Sequence, residues 1–457
     1  MFWFDEMRFW NGYYILTTIA DNKYIDSLKI FISNFDHTIF QIITILLQCI
    51  RYIACKVFIK EDLEPYMLME SNIGLSLCTI LLSLSFAICL IVLNKILLAI
   101  GSDKKLCIII ITSYALCCSV LSYSRHLLPY DTATALYLIS IYICITKRYF
   151  LSSKICTISI LTYNGYSAMY YTTCLFIILY IFFNENKRLL NFIKFFIGIF
   201  AVIITLQIIG HSVEVNYIGG LLEWKDYAEK NQQGDFNNSI YLIFEYLWET
   251  EFLFTFALLL PALFLKKILK FHKTRNTMFI GIFFSLFLFI FLIVNADILE
   301  KGVVYSRTIN QIVPFMCVVI GCGIYYVIRF GNIIFKKRFV MLILLIWLVN
   351  VLPILRMEFP KEIASEIQND YKDINILFEY SKHLLKPDYN STASMKYKLI
   401  NCGQLYPGIK HYKEIVLNDL IWSVKHPYQY KPYQLMHFNK SERDLLDKNP
   451  PYIKFGF

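Results

Sequence analysis

Four groups of polar residues in an otherwise apolar sequence have types and spacing suited to chemistry. Phe4-Asp5-Glu6, with Arg8 close by, sets two adjacent carboxylates among aromatic side chains. A carboxylate so placed could take a proton from a hydroxyl as general base, or the pair could hold a divalent cation. An acidic pair that is merely solvated is the plain alternative. Tyr123 through Asp131 is a polar turn between two apolar runs, and its Arg125 and His126 could clamp a phosphate through charge-assisted donors. Arg125 could equally be an interfacial side chain reaching for water. The stretch from His211 to Glu251 is the longest connection between apolar runs, and a ~40-residue loop of this kind commonly carries function. Within it His211 and Glu214 stand at i, i+3 and could share a metal ion or form an ordinary hydrogen-bonded surface. Last, Tyr305-Ser306-Arg307-Thr308 leads into Asn310, Gln311 and Pro314 at the start of another apolar run. Arg307 is a second phosphate candidate, or a structural partner for Asp297 or Glu300.

The elements that must position these residues follow from composition. Hydrophobic residues make up 57% of the chain and charged residues 17%, and the mean hydropathy is +0.52. Such a chain does not have water as its main solvent. A hydrocarbon layer needs roughly 20 apolar residues per crossing helix, and stretches of that kind follow one another between residues 73 and 356. Backbone groups in lipid must pair within their own segment, so these stretches are expected to be helices; alternating ten-residue strands, the mark of a barrel, are absent. The sequence predicts an all-α polytopic membrane protein of about ten helices, near 73–100, 107–124, 131–146, 152–165, 168–183, 191–210, 251–266, 278–296, 305–328 and 338–356.

Basic residues orient the bundle. Alternate connections carry Lys104-Lys105, then Lys147, Arg148 and Lys154, then Lys187, Arg188 and Lys194, then Lys266 through Arg275, and last Arg329 with Lys336, Lys337 and Arg338. These are expected to face the cytoplasm. The intervening connections hold few basic residues, which assigns residues 1–72, the 211–250 loop and the tail 357–457 to the extracytoplasmic side. The net charge of +10 is distributed as such topology signals and not along one polar face, so no nucleic-acid partner is expected.

Within 1–72, the apolar stretch Ile39 to Ile59 is interrupted by Arg51 and Lys56. A charge at mid-bilayer costs on the order of 3 kcal/mol, so this stretch reads as a helix lying in the interface; a spanning helix is the alternative. The tail 357–457 is rich in Tyr, Lys and breaker pairs such as Lys386-Pro387, Tyr406-Pro407 and His426-Pro427, the pattern of a small α+β domain. The 13 cysteines lie mostly inside apolar runs, as at Cys117-Cys118, with no metal or disulfide spacing. Met1 is followed at once by Phe2-Trp3-Phe4-Asp5-Glu6, with neither the basic region nor the cleavage site of a signal peptide.

The order of these features resembles the GT-C superfamily of polytopic glycosyltransferases, which includes protein O-mannosyltransferases and the lipid A aminoarabinose transferase. An acidic motif like Phe4-Asp5-Glu6 opens the first outer loop of that family and is followed by juxtamembrane helices. A span then begins with a segment like Ser124-Arg125-His126-Leu127-Leu128-Pro129-Tyr130-Asp131. Ser306-Arg307-Thr308 through Pro314 is similar to the Arg-Tyr segment that opens a late span in bacterial members, with Thr308 in place of the aromatic residue. The resemblance covers the layout of 1–356. In the family a transmembrane helix precedes the acidic loop, whereas this sequence starts inside it, so on the resemblance that first helix is missing.

The resemblance implies a sugar donor on a polyprenyl phosphate, a glycan, lipid or protein acceptor, and the bilayer of a bacterial inner membrane as surroundings. It implies Asp5 as base, Glu6 as its support, and Arg125, His126 and Arg307 around the donor phosphate. A divalent metal would draw on Asp5, Glu6, His211 or Glu214. An O-antigen or capsule polymerase is the nearest rival reading, although the outer loops here are acidic on balance. A lipid-linked-sugar flippase or transporter is the rival from another class, and a catalytically dead scaffold is a third.

Overall fold

The computed structural model of the chain describes residues 9–35, 37–58, 72–117, 120–121, 124, 127–231, 240, 243–244, 247, 257–299, 306–330, 338, 341, 376–378, 397–401 and 433–437. Its body is helical. Three helices come first, α1 (Phe9–Ala20), α2 (Tyr24–Ile32) and α3 (Phe40–Phe58). Then follow α4 (Asn72–Ala99), α5 (Lys104–Ala115), α6 (Tyr130–Ile145), α7 (Tyr149–Thr162), α8 (Ser167–Asn184) and α9 (Arg188–Ser212). The third group is α10 (Tyr217–Asn231), α11 (Leu259–Leu263), α12 (Leu265–Lys270), α13 (His272–Ile293), α14 (Ser306–Ile309) and α15 (Val313–Phe330). In the tail β1 (Ile376–Phe378) pairs parallel with β2 (Tyr397–Asn401), and β2 pairs antiparallel with β3 (Tyr433–His437).

Among the described residues, five helical segments are long and apolar enough to cross a membrane: Leu77–Ala99, Asn164–Asn184, Arg188–Ser212, His272–Ile298 and Asn310–Arg329. They coincide with five of the expected spans. The surface they present fits that solvent, since Ile197, Phe200, Ile204 and Ile208 along α9 are all more than half exposed. A continuous apolar ridge of this kind needs a lipid surrounding. By contrast α15 is enclosed by the bundle. It packs on α13 through the stacked rings of Phe284 and Phe315, 4.3 Å apart, and on α5 where Gly321 admits the Ile110 side chain.

Other expectations meet the structure differently. The expected spans at 131–146 and 152–165 are the apolar helices α6 and α7, of 16 and 14 residues, shorter than the roughly 20 of a straight crossing. The stretch at 251–266 holds two short helices, α11 and α12, that meet at Phe264; Pro261 lies within the first. The 211–250 loop contains a helix of its own, α10. Of the stretch at 338–356 only Arg338 and Met341 are among the described residues.

The helix read as interfacial, α3, is amphipathic with its faces inverted. Gln41, Thr44, Gln48 and Arg51 recur at helical spacing and are buried, while Ile42, Leu46, Ile50 and Ile53 are exposed. Arg51 keeps only 2% of its surface exposed and donates from Nη1 to Gln48 Oε1 at 2.8 Å. Its charge is therefore turned toward protein and carries none of the lipid penalty that the composition of this stretch suggested.

Antiparallel packing sorts the turns into two ends. At one end α4 stops in a left-handed Gly101, whose N–H donates to Leu98 C=O while Ser102 N–H donates to Leu97 C=O, and Asp103 then caps α5 through Lys105 N–H. The same end holds the α6–α7 turn, where Lys147 takes the left-handed position in an equivalent arrangement, with Arg148 N–H donating to Ile143 C=O. Lys187, Arg188, Lys267 and Arg275 lie in or beside the other turns at this end. At the opposite end lie Pro129, the Tyr163–Tyr166 turn, Val213 through Asn216, and the start of α14.

The basic end is fastened by a surface ion pair. Glu185, between α8 and α9, accepts from Lys147 Nζ at 2.9 Å, from the Tyr149 hydroxyl at 3.0 Å and from Asn191 Nδ2 at 3.2 Å. The hydrogen bond from Lys147, with that from Tyr149 behind it, holds the Glu185 carboxyl below its ordinary value. A depressed carboxyl contributes stability above its unfolded value and loses it as pH falls through its folded one. The melting temperature of the parent is therefore expected to exceed that of Glu185→Gln at neutral pH, with the gap closing once the pH drops below the glutamate range. A pH-independent gap would show that the carboxylate charge is not what joins the two turns.

Candidate functional site

At the end opposite the basic turns, three parts of the chain distant in sequence come together. Tyr163-Asn164-Gly165-Tyr166 links α7 to α8 through a single 3-10 turn, Asn164–Tyr166. Its two tyrosine rings meet at 4.9 Å, edge to face, and Tyr130 at the head of α6 lies 4.7 Å from Tyr163 and 6.1 Å from Tyr166. Gly165 has the Tyr163 ring against its backbone, so any Cβ there would collide with it. His37, from the connection between α2 and α3, packs edge-on against Tyr163 at 5.3 Å. That connection is held down by Ile39 N–H donating to Leu161 C=O at 3.1 Å and by the Thr38 and Tyr217 hydroxyls, 3.0 Å apart. Four buried aromatic rings thus form one wall.

Polar groups converge on it. Asp131, in the first turn of α6, is 6% exposed, and its carboxylate is an electrostatic neighbour of Tyr114 and Tyr166. A carboxylate in the first turn also suits the helix dipole, a structural reason for its presence. Its backbone is fixed to α4, since Cys89 Sγ donates to Asp131 C=O at 3.4 Å and the Ser85 and Thr132 hydroxyls lie 3.1 Å apart.

From the other side, α14 passes through a 3-10 turn, Asn310–Ile312, into α15. There Gln311 Oε1 accepts the Met169 N–H at 2.9 Å, an otherwise unmatched donor of the first turn of α8, while Gln311 Nε2 donates to Thr308 C=O at 2.6 Å. The buried Tyr166 hydroxyl lies within reach of Asn310 and Thr134.

Two of the four segments singled out in the sequence, the one ending in Asp131 and the one containing Asn310 and Gln311, are therefore neighbours. Arg307 begins the second of them within α14, on backbone pinned through Thr308 and Gln311. Asp5, Glu6, Arg125 and His126 lie outside the described residues. His211 and Glu214 are both exposed, and their spacing serves helix termination: Glu214 takes the left-handed position after α9, its N–H donates to His211 C=O at 3.2 Å, and its carboxylate pairs with Lys29 at 3.7 Å. Among the described residues no three His, Cys, Asp or Glu side chains converge as a metal site requires.

The chain matches no known protein family, no curated protein and no solved structure. The site is consequently characterised by its own geometry. It is a buried aromatic wall faced by one carboxylate, several hydroxyls and two carboxamides, at one end of a membrane bundle. Such a set can orient a polar ligand by hydrogen bonds while excluding water.

Residue type alone does not mark Tyr163 to Tyr166 or His37. The Asn164-Gly165 pair is a turn signal, and tyrosines on either side of a turn between two apolar helices are the cue that was available.

Proposed function

We propose that this chain is a polytopic membrane glycosyltransferase that moves a sugar from a polyprenyl-phosphate donor to a glycan, lipid or protein acceptor on the extracytoplasmic side. The observation that supports the reading is the convergence of the Asp131 and Asn310–Gln311 segments at the end of the bundle away from the basic turns. In this reading about ten helices cross a bacterial inner membrane, the basic turns face the cytoplasm, and 357–457 is an extracytoplasmic α+β domain.

The chemistry needs few parts. The acceptor oxygen attacks the anomeric carbon as the bond from that carbon to the phosphate oxygen breaks, and the polyprenyl phosphate leaves with the electron pair. Asp5 takes the acceptor's proton, with Glu6 supporting it. Arg125, His126 and Arg307 stabilise the charge that develops on the leaving phosphate.

The test is transfer of radiolabelled sugar from polyprenyl-phosphate donors in membranes holding the full chain, together with reporter fusions at Lys270 and Lys410. Transfer above that of membranes lacking the chain is expected, with Lys270 cytoplasmic and Lys410 exported. Absence of transfer across a panel of donors, or an inverted topology, would remove the reading.

A further inference from the structure

The turn between α12 and α13 and the end of α15 form one basic platform on the surface of the bundle. Lys266, Lys267, Lys270, Lys273 and Arg329 are exposed there, and Arg275 is half-buried. The sequence has no Asp or Glu between Glu251 and Asp297 or between Glu300 and Glu358, so neither segment supplies a carboxylate to offset these cations. An acidic neighbour comes with the α4–α5 turn, which the Ser102 and Thr277 hydroxyls join to α13. Asp103 of that turn caps α5 through Lys105 N–H, and the exposed Lys104 and Lys105 follow it, so the turn adds positive charge on balance.

Packing fixes the platform. The Tyr326 hydroxyl of α15 donates to Lys267 C=O at 3.1 Å, and Thr274 Oγ1 donates to Ile268 C=O at 2.9 Å, which ties α12 to both of its neighbours. The Arg329 guanidinium lies 5.6 Å from the centre of the Phe271 ring and 5.9 Å from that of Tyr325, whose hydroxyl accepts from its Nη1 at 3.3 Å. Ring contacts of this kind restrain a guanidinium while it stays exposed.

Apolar side chains share the same surface. Leu263 is 75% exposed, and Leu265, Leu269 and Phe271 are exposed as well, interleaved with the lysines. Such a mixture suits neither water nor hydrocarbon alone. It suits the phosphate level of a bilayer, where the apolar groups meet acyl chains and the lysine stems carry their charges to the headgroups. The segments His272–Ile298 and Asn310–Arg329, both long and apolar enough to span, each have one end in the platform, which sets it at that level. A soluble phosphate compound would leave the apolar side chains uncovered, and a zwitterionic lipid brings no net charge to the cations. An anionic phospholipid satisfies both.

We propose that the α12–α13 turn and the end of α15 bind the headgroup of an anionic phospholipid, with Lys266, Lys267, Lys270 and Arg329 on its phosphate and Leu265, Leu269 and Phe271 against its acyl chains. The site depends neither on the glycosyl-transfer reading nor on which compartment the basic end faces.

Full-length protein in detergent micelles is titrated with cardiolipin, phosphatidylglycerol or phosphatidylcholine, and the lipid adducts are resolved by native mass spectrometry. The anionic lipids are expected to bind at least about tenfold more tightly than phosphatidylcholine. Equal affinity for all three overturns the proposal. Inorganic pyrophosphate is the soluble arm, and at the concentration of the lipid it is expected to displace none of it. Displacement there would show that phosphate suffices without acyl chains, and the lipid assignment would fall.

Substitution locates the site. A basic residue at the membrane surface contributes about fivefold in affinity, so joint Lys266→Gln, Lys267→Gln and Lys270→Gln is expected to weaken cardiolipin binding roughly 10–100-fold. Joint Arg148→Gln, Lys187→Gln and Arg188→Gln removes as many charges from other turns at the same end and is expected to leave binding at the parent level. An equal loss in both would mean general attraction to a basic surface and would overturn the site. Arg329→Gln, a single change at an exposed helix end, keeps the test open should the lysine variant fail to fold, and a loss of about fivefold is expected. Parent-like binding by Arg329→Gln together with parent-like binding or misfolding of the lysine variant would end the proposal.

Discussion

Asp5→Asn is expected to lower the rate of sugar transfer by roughly 10²–10⁴-fold, the usual loss when a general base is removed. Asn keeps the size and hydrogen bonding of the carboxylate and deletes only its capacity to take a proton. Asp5 and Glu6 stand four and three residues ahead of Phe9, the first residue of α1. That helix is fixed on α3: Gln48 Nε2 donates to Phe9 C=O at 3.2 Å, and Gly12 lies so close to the Thr44 backbone that a Cβ would collide with it. Glu6→Gln is the control, because an adjacent side chain cannot occupy the same position. The measurement is transfer per mole of protein in membranes adjusted to equal amounts of each variant. Parent-like transfer by Asp5→Asn beside an inactive Glu6→Gln would move the base to Glu6. Full activity in both would end the case for an acidic motif.

The membrane bundle was legible where a single physical demand controls the residues. An apolar run in lipid must satisfy its own backbone, so the predicted 73–100, 168–183 and 191–210 lie within a few residues of α4, α8 and α9. Legibility failed where direction matters more than composition. Arg51 reads as a charge interrupting an apolar stretch, yet its place at helical spacing with Gln41, Thr44 and Gln48 turns it inward. The run at 251–266 counts as apolar enough to span, yet the chain divides it at Phe264.

The candidate site was half legible for a related reason. Residue type alone marks Arg125, His126 and Arg307, because guanidinium and imidazole are rarely idle beside lipid. What makes Asp131 notable is its burial beside Tyr166 and Asn310, which depends on contacts between residues far apart in sequence. His211 and Glu214 show the converse. Their spacing suits a shared metal, but the same spacing arises wherever a helix ends in a left-handed residue three positions later, and here it does.

Arg307→Ala and Arg125→Ala are each expected to slow transfer by roughly 10²–10³-fold, the loss typical of deleting one donor to a charge that develops in the transition state. Arg307 occupies α14 on backbone that cannot easily shift. Gln311 is bound at once to the Met169 N–H of α8 and to Thr308 C=O, so the start of α15 is locked to the head of α8. On the glycosyl-transfer reading, the planar guanidinium fork offers the donor phosphate two parallel donors. Lysine keeps the charge but presents a single flexible ammonium, so Arg307→Lys and Arg125→Lys are expected to recover only part of the lost rate. The substitutions should act on kcat more than on KM for the donor, since charge accumulates on the phosphate as the glycosidic bond breaks. Each variant is assayed at saturating and limiting donor, with melting temperature as the check on folding. If both alanine variants fold and transfer at the parent rate, neither arginine serves the phosphate. If instead Lys restores the full rate at one position, that site needs only a positive charge, and bidentate recognition is lost as its explanation.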